Sequence, residues 1–339
     1  MKLPTALLGL AAVLTAAAPA PAAVIVASGQ NNGDPTHTSG NFFYAIDTAT
    51  GRATPISPPV AGPTPAGLAG APDGTLYGFA AGSVVRVDPY AGTFAPVAPA
   101  GPLTVTGFDI TRDGAGYGVP LGADRRLHRF DLATGAAAPV GPAGAIGAAL
   151  DAFFGDPPGA NPPFIISLGS VGAGSAEALY GVHLAAGRNQ LVAIDPGTGA
   201  AAVVGPVNSV GTGGPGPGTY SGFAALTGVD EDGDGVNDAL FGAVNFFDPD
   251  GPGPLPSGRL GGVARYDLAA GTWTLVGTNP GLIFFGFGSS PAAVPAPPSA
   301  VLAAAGVAAL GAYRRRRPGR PASPVPDTRR GSAADDRRG

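Results

Sequence analysis

The sequence predicts an all-β fold, a β-propeller of about five four-stranded blades closed by the chain's last apolar strand. Two observations carry that expectation. The first is a phrase that occurs five times: an apolar run, an Asp, a Gly four residues later, then a second apolar run. Its copies turn at Asp47 and Gly51, Asp88 and Gly92, Asp131 and Gly135, Asp195 and Gly199, and Asp267 and Gly271. A constant Asp-to-Gly offset describes a hairpin whose Asp hydrogen-bonds its own turn and whose Gly takes the positive-φ position. The second is the period. Successive aspartates lie 41, 43, 64 and 72 residues apart. A repeat near forty built only from strands is the spacing of propeller blades, with insertions in the later ones.

Each phrase supplies the last two strands of a blade. Ahead of it stands an aromatic-Gly strand: Tyr77-Gly78, Tyr117-Gly118, Tyr180-Gly181 and Phe241-Gly242. The aromatic fills the gap between blades, and the Gly lets backbones approach closely. An apolar-Gly strand comes first, as in residues 67–70 and 105–110. The mature chain opens at residues 24–28 with no such leading strand, whereas the apolar run 282–288 has no blade of its own. Pairing the two would close the ring and remove both open edges. Residues 143–175 leave the count open between five and six, because the apolar run 164–168 belongs to no phrase.

Composition agrees with one large repeat domain. The chain has 339 residues, 45% of them apolar, and its 57 Gly and 38 Pro fall between the strand phrases. Cys is absent, which excludes a disulfide framework and thiolate metal sites. The formal charge of −4 hides a segregation: from Arg314 onward there are nine Arg and three Asp, and Lys2 stands in the leader. The body between carries nine basic and twenty acidic residues. Such a body is not a nucleic-acid binder, because neutralising phosphates needs clustered Lys and Arg.

Both ends read as addresses. Residues 1–22 have a basic start, a short apolar stretch and a small-residue exit at Ala20-Pro21-Ala22, the pattern of a cleaved signal peptide. The propeller domain is expected over 23–290. Residues 291–317 hold a Pro-rich spacer, an apolar stretch from Ala300 to Tyr313, and Arg314 to Arg317. That order predicts a short transmembrane helix with a positive stop on its cytoplasmic side. Residues 318–339 are expected to be a disordered tail.

The same order resembles the PEP-CTERM sorting signal, which an exosortase recognises and cleaves. Val294, Pro295, Pro297 and Ser299 match that motif approximately. Ala296 stands where the family has Glu, Pro298 is extra, and 22 residues follow the Arg cluster where the family usually stops. The resemblance implies export, transient membrane insertion, processing by an exosortase-type enzyme, and a final place on the cell surface, at the outer membrane or outside the cell.

One segment has metal-ligand spacing. Asp230, Asp232, Asp234 and Asp238 stand at positions one, three, five and nine of a loop with Gly235 at position six, and Val236 offers its backbone carbonyl at seven. These oxygens suit one Ca²⁺. Position twelve is Phe241, so the loop is not an EF-hand. It is similar instead to the calcium loops of FG-GAP (integrin-α-like) propellers, with Leu240, Gly242 and Ala243 following as in that family.

Catalytic patterns are missing. His37, His128 and His183 form no zinc pair, no Gly-x-Ser-x-Gly elbow occurs, and Glu177 and Glu231 are the only glutamates. The five repeat aspartates are explained by their turns. The sequence is therefore read as a non-enzymatic propeller, and the PEP-CTERM resemblance implies a place at the cell surface or in the extracellular matrix, with a polysaccharide or surface protein as its partner. The competing reading is a secreted propeller enzyme of the lactonase or sugar-dehydrogenase type, which needs polar side chains converging on the central channel.

Overall fold

The structure, a computed structural model, describes residues 24–289 apart from 32–39, 99–100, 102, 122–125, 161–163, 185–189, 206–219 and 248–258. The predicted leader, sorting segment, tail and His37 lie outside the described residues. Among the described residues no helix is long and apolar enough to cross a membrane.

Twenty strands form five antiparallel four-stranded sheets. The first joins β1 (Val24–Asn31), β2 (Gly40–Asp47) and β3 (Ala53–Pro55) to β20 (Leu282–Ser289) in the order β20-β1-β2-β3. The second runs through β4 (Ala66–Gly70), β5 (Leu76–Ala80), β6 (Ser83–Asp88) and β7 (Thr93–Pro96). The third contains β8 (Val105–Ile110), β9 (Gly116–Pro120), β10 (Leu127–Phe130) and β11 (Ala137–Val140). In the fourth are β12 (Ile165–Val171), β13 (Ala178–His183), β14 (Gln190–Ile194) and β15 (Ala201–Val204). The fifth comprises β16 (Tyr220–Val229), β17 (Ala239–Phe247), β18 (Arg259–Asp267) and β19 (Thr272–Pro280). The leading strands β4, β8, β12, β16 and β20 pack each on the next, with β20 on β4, so they form the inner ring of a five-bladed propeller.

The expected closure is present. β20 pairs antiparallel with β1, from Ile25 opposite Ser289 to Asn31 opposite Leu282. Phe284 is fully buried and meets Tyr44 of β2 edge to face. The buried amide of Asn245 in β17 donates to the Phe284 carbonyl at 2.8 Å and accepts its N–H at 3.0 Å. The last strand is thus pinned by both neighbouring sheets, and neither of its backbone groups at this point is left unsatisfied.

The core is divided among the blade interfaces. Five buried clusters occur, each drawn from two adjacent sheets, as Phe79, Phe108 and Phe130 are between the second and third. This is how a sheet that is apolar on both faces covers itself without a partner domain.

Two features go beyond the sequence reading. Among the described residues, 143–175 hold no sixth blade. They contain the helix α1 (Ala145–Phe154), which buries Ile146 and Leu150 between the third and fourth blades, and then β12, the fourth blade's own leading strand. The run 164–168 is therefore the missing apolar strand of that blade. Every inner strand also carries one extra residue relative to its partner, at the same level: near Gly67, Thr106, Ile166, Ala224 and Phe285. A repeated bulge sharpens twist and re-aims side chains. Thr106, Ile166, Ala224 and Phe285 are the more exposed residues within otherwise buried stretches.

Candidate functional site

In an antiparallel four-stranded blade the first and third connections lie at one end. All five repeat turns are third connections, and the 230–238 loop is the first connection of the fifth blade, so they share one end of the propeller. Asp73, Asp113 and Glu177 lie there too, against Arg52, Arg86, Arg112, Arg129 and Arg265. This end is strongly acidic.

The repeat aspartates are held as the sequence predicts. The Oδ1 of Asp195 accepts the N–H groups of Gly197 at 2.7 Å and Thr198 at 3.1 Å, and Gly199 closes the turn by donating to the Asp195 carbonyl at 2.8 Å. The side-chain pattern recurs at Asp47, Asp88, Asp131 and Asp267, and Gly51, Gly135 and Gly271 close their turns as Gly199 does. Backbone N–H donors hold the carboxyls of Asp131 and Asp195 below the usual carboxylate range. The turn glycine has a second duty at the first blade. Gly51 sits at φ 67°, and a Cβ there would lie 2.6 Å from the backbone nitrogen of Gly277 in β19 of the fifth blade.

The 230–238 loop gathers its acids differently. Asp230, Asp232 and Asp234 place one carboxylate oxygen each within 4.8 Å of the others, and it is the one group of three such side chains among the described residues. Gly233 and Gly235, at φ 81° and 82°, bend the loop so that their N–H groups reach the two oxygens of Asp230, at 2.6 and 2.7 Å. Asp234 donates to Asp232 at 3.1 Å, and Val236 donates its N–H to Asp234 at 2.7 Å. Asp238 stands outside the triad: its Oδ1 accepts the Glu231 N–H at 3.1 Å. The triad is open to solvent, with Asp232 and Asp234 exposed. Hard oxygen donors in this number and openness fit a cation of the Ca²⁺ class, with water completing the shell.

The loop is anchored on three blades. Glu231 forms a two-pronged ion pair with Arg265 of β18, at 2.6 and 3.2 Å. Asn237 donates its side-chain amide to the Ser170 carbonyl of β12 at 3.1 Å, and its backbone bridges to Gly172. From the third blade, the Arg112 guanidinium lies against Gly235, 3.3 Å from where a Cβ would be. Sequence spacing identifies the carboxylates but none of these anchors, since their partners are 34 to 123 residues away.

Sequence reasoning also missed Asp109. It reads as one polar residue in the apolar strand β8, yet it is 4% exposed, and its Oδ2 has no hydrogen-bond partner. Burial pushes its carboxyl up to about 7, against the opposing effect of the Ser170 hydroxyl. The two described histidines are buried strand residues. His128 is 6% exposed in β10; His183 in β13 accepts the Phe164 N–H, and burial lowers it to about 4.

No family model matches the chain, and no curated protein matches it. Solved structures show distant likeness. Hydrazine synthase of Kuenenia stuttgartiensis is 15% identical with a TM-score of 0.34, over 69% of this chain and 59% of that one, so this chain spans less than two thirds of its length. A symmetrical protein from a study of de novo evolutionary emergence is 15% identical with a TM-score of 0.38, covering 67% and 87%. Virginiamycin B lyase of Staphylococcus aureus, in a structure with quinupristin, is 12% identical with a TM-score of 0.34, covering 74% and 84%. At such values none of them assigns an activity to this chain.

Proposed function

We propose that this chain is an exported, non-enzymatic five-bladed propeller, displayed on or released from the outer cell surface, that holds one Ca²⁺ in its 230–238 loop. Its acid-rich end receives a surface polysaccharide or protein partner. The observation that carries the reading is the Asp230, Asp232 and Asp234 triad, the one group of three such side chains among the described residues. Calcium sites of extracellular modules are weak, with Kd on the order of 10⁻⁴ to 10⁻³ M, and fill only where calcium is plentiful. The signal-peptide pattern at 1–22 and the PEP-CTERM-like order at 291–317 point to the same compartment. The non-enzymatic part is supported by the sequence, which carries no histidine pair at zinc-ligand spacing, no Gly-x-Ser-x-Gly elbow and two glutamates in all. Terminal mass analysis of material collected outside the expressing cells tests the export reading. It should begin near residue 23 and lack Arg314 to Arg317. A chain that begins at Met1 or keeps the Arg cluster would overturn it.

A further inference from the structure

Two neighbouring blade seams correspond in sequence but are filled differently. Phe79 follows Gly78 in the second blade as Val119 follows Gly118 in the third, and Phe130 with its partner Ala137 stands where the fourth blade has Ile194 with Ala201. In both seams the turn glycine of the later blade sits against the end of the earlier blade's outer strand, Gly135 on Ala98 and Gly199 on Val140. Between the third and fourth blades the connecting chain forms α1. Its Ile146 and Leu150, both fully buried, pack among Val119, Leu127, Val192 and Ile194. Between the second and third blades, Ala98, Gly101 and Leu103 of the connection into β8 border a cavity of about 410 Å³ instead.

The walls define what suits this space. Phe79, Val84, Leu103 and Phe130 make most of it apolar, with the rings of Phe79 and Phe130 edge to face at 5.8 Å between centres. Among the described residues no Asp, Glu, Lys or Arg lines it, so a charged molecule would give up its hydration without a partner. Two polar side chains stand in the same wall, Ser83 and His128, only 7% and 6% exposed. His128 departs from the repeat. Three residues before the turn aspartate, the second, fourth and fifth blades carry Val85, Val192 and Ala264. The third blade thus puts a hydrogen-bonding ring where those blades put an aliphatic side chain.

We infer that this seam binds a compact, uncharged small molecule: an aromatic or branched aliphatic body with one hydroxyl. The body takes the place that Ile146 and Leu150 fill one seam further on, and the hydroxyl is directed to Ser83 and His128. The size is sufficient, since a dry apolar cavity of about 150 Å³ already admits benzene and small-molecule sites begin near about 300 Å³. A partner's helix presenting aliphatic side chains, as α1 does, fits less well, because it would meet Ser83 and His128 with apolar surface alone. The inference does not depend on the metal loop, none of whose residues lines the cavity.

Calorimetric titration of the purified protein with 4-ethylphenol tests this, run in EDTA so that the fate of the metal loop does not enter. The phenol is expected to bind. 4-Ethylanisole, whose hydroxyl is capped, and charged 4-ethylbenzoate should each bind at least about tenfold more weakly. Nuclear Overhauser contacts from the bound phenol should reach the rings of Phe79 and Phe130. Ala137→Leu, at the exposed rim, should weaken the phenol at least about tenfold while the melting profile is kept. If that variant does not fold, the Overhauser contacts locate the ligand in the wild type. His128→Val, which installs the residue of the second and fourth blades, or Ser83→Ala should bring the phenol and the anisole toward equal affinity. The inference is overturned if 4-ethylphenol does not bind below its solubility limit, if its contacts fall on other rings, or if the anisole or the benzoate binds as tightly. It is also overturned if the preference for the phenol survives in both polar variants. Binding of a blocked peptide of residues 143–156 without binding of the phenol would overturn it too, and would make the seam a dock for a partner's helix.

Discussion

The five repeat turns and the 230–238 loop use the same local chemistry, a carboxylate accepting backbone N–H groups, yet they arrive at different states. In each turn a single Asp meets two N–H donors and a Gly closes the bend, so the charge is matched where it stands. In the loop four N–H groups serve Asp230, Asp232 and Asp234, but three carboxylates are crowded within 4.8 Å. The turns need nothing from outside. The loop brings like charges together, and the proposed Ca²⁺ would neutralise them.

The largest expected effect belongs to the turns. Gly51→Ala forces a non-Gly residue to positive φ and drives a Cβ into the backbone of Gly277. Strain and overpacking together should cost about 2–4 kcal/mol in urea unfolding, unchanged by calcium. A loss under about 1 kcal/mol would mean that the turn does not seat against the neighbouring blade.

Next comes Asp195→Ala, which removes an acceptor from two turn N–H groups and should cost about 1–2 kcal/mol, equally in EDTA and in calcium. The low-lying carboxyls of Asp131 and Asp195 give a matching acid response. A folded value below the unfolded one adds stability above the ordinary carboxylate range, lost as pH falls through the depressed value. Asp109 has the opposite sign. Its folded value is raised to about 7, so its contribution favours the folded state at low pH and declines as pH rises from about 4 through 7. Thermal melts across that window should show the decline, and Asp109→Asn should flatten it. A slope that persists in the variant assigns it to another group.

The smallest effect is expected at the loop's anchor. Arg265 and Glu231 are partly exposed, so Arg265→Ala should cost under about 1 kcal/mol without calcium. With calcium present the same change should weaken the metal's stabilising effect if the ion pair helps to hold the loop's shape. Equal loss in both conditions would make the pair an ordinary surface contact.

How much of this was legible follows from where the information lies. The Asp-to-Gly turns are local, so five copies reveal both the hairpin and the period, and the orphan run 282–288 gives the closure. The carboxylates of the loop are local as well. Helix α1 was hidden because Ala145–Phe154 is a short Ala-rich run between Gly144 and Gly155, and only packing of Ile146 and Leu150 shows its purpose. The inner bulges leave no mark, since Gly67, Thr106, Ile166, Ala224 and Phe285 share no chemistry. Asp109 and the partners Arg112, Ser170 and Arg265 depend on blades meeting across long separations, which no spacing rule records.

Differential scanning calorimetry of the wild type and Asp232→Ala, each in EDTA and in calcium at about a hundred times Kd, tests the contrast between turns and loop most directly. Binding to the folded state alone should add about 2.7 kcal/mol to the wild type and raise its melting temperature by roughly 4–8 °C. Asp232→Ala should melt at one temperature in both buffers. If the wild type also melts identically in EDTA and in calcium, the 230–238 loop is an acidic turn like the other five, and the central claim is wrong.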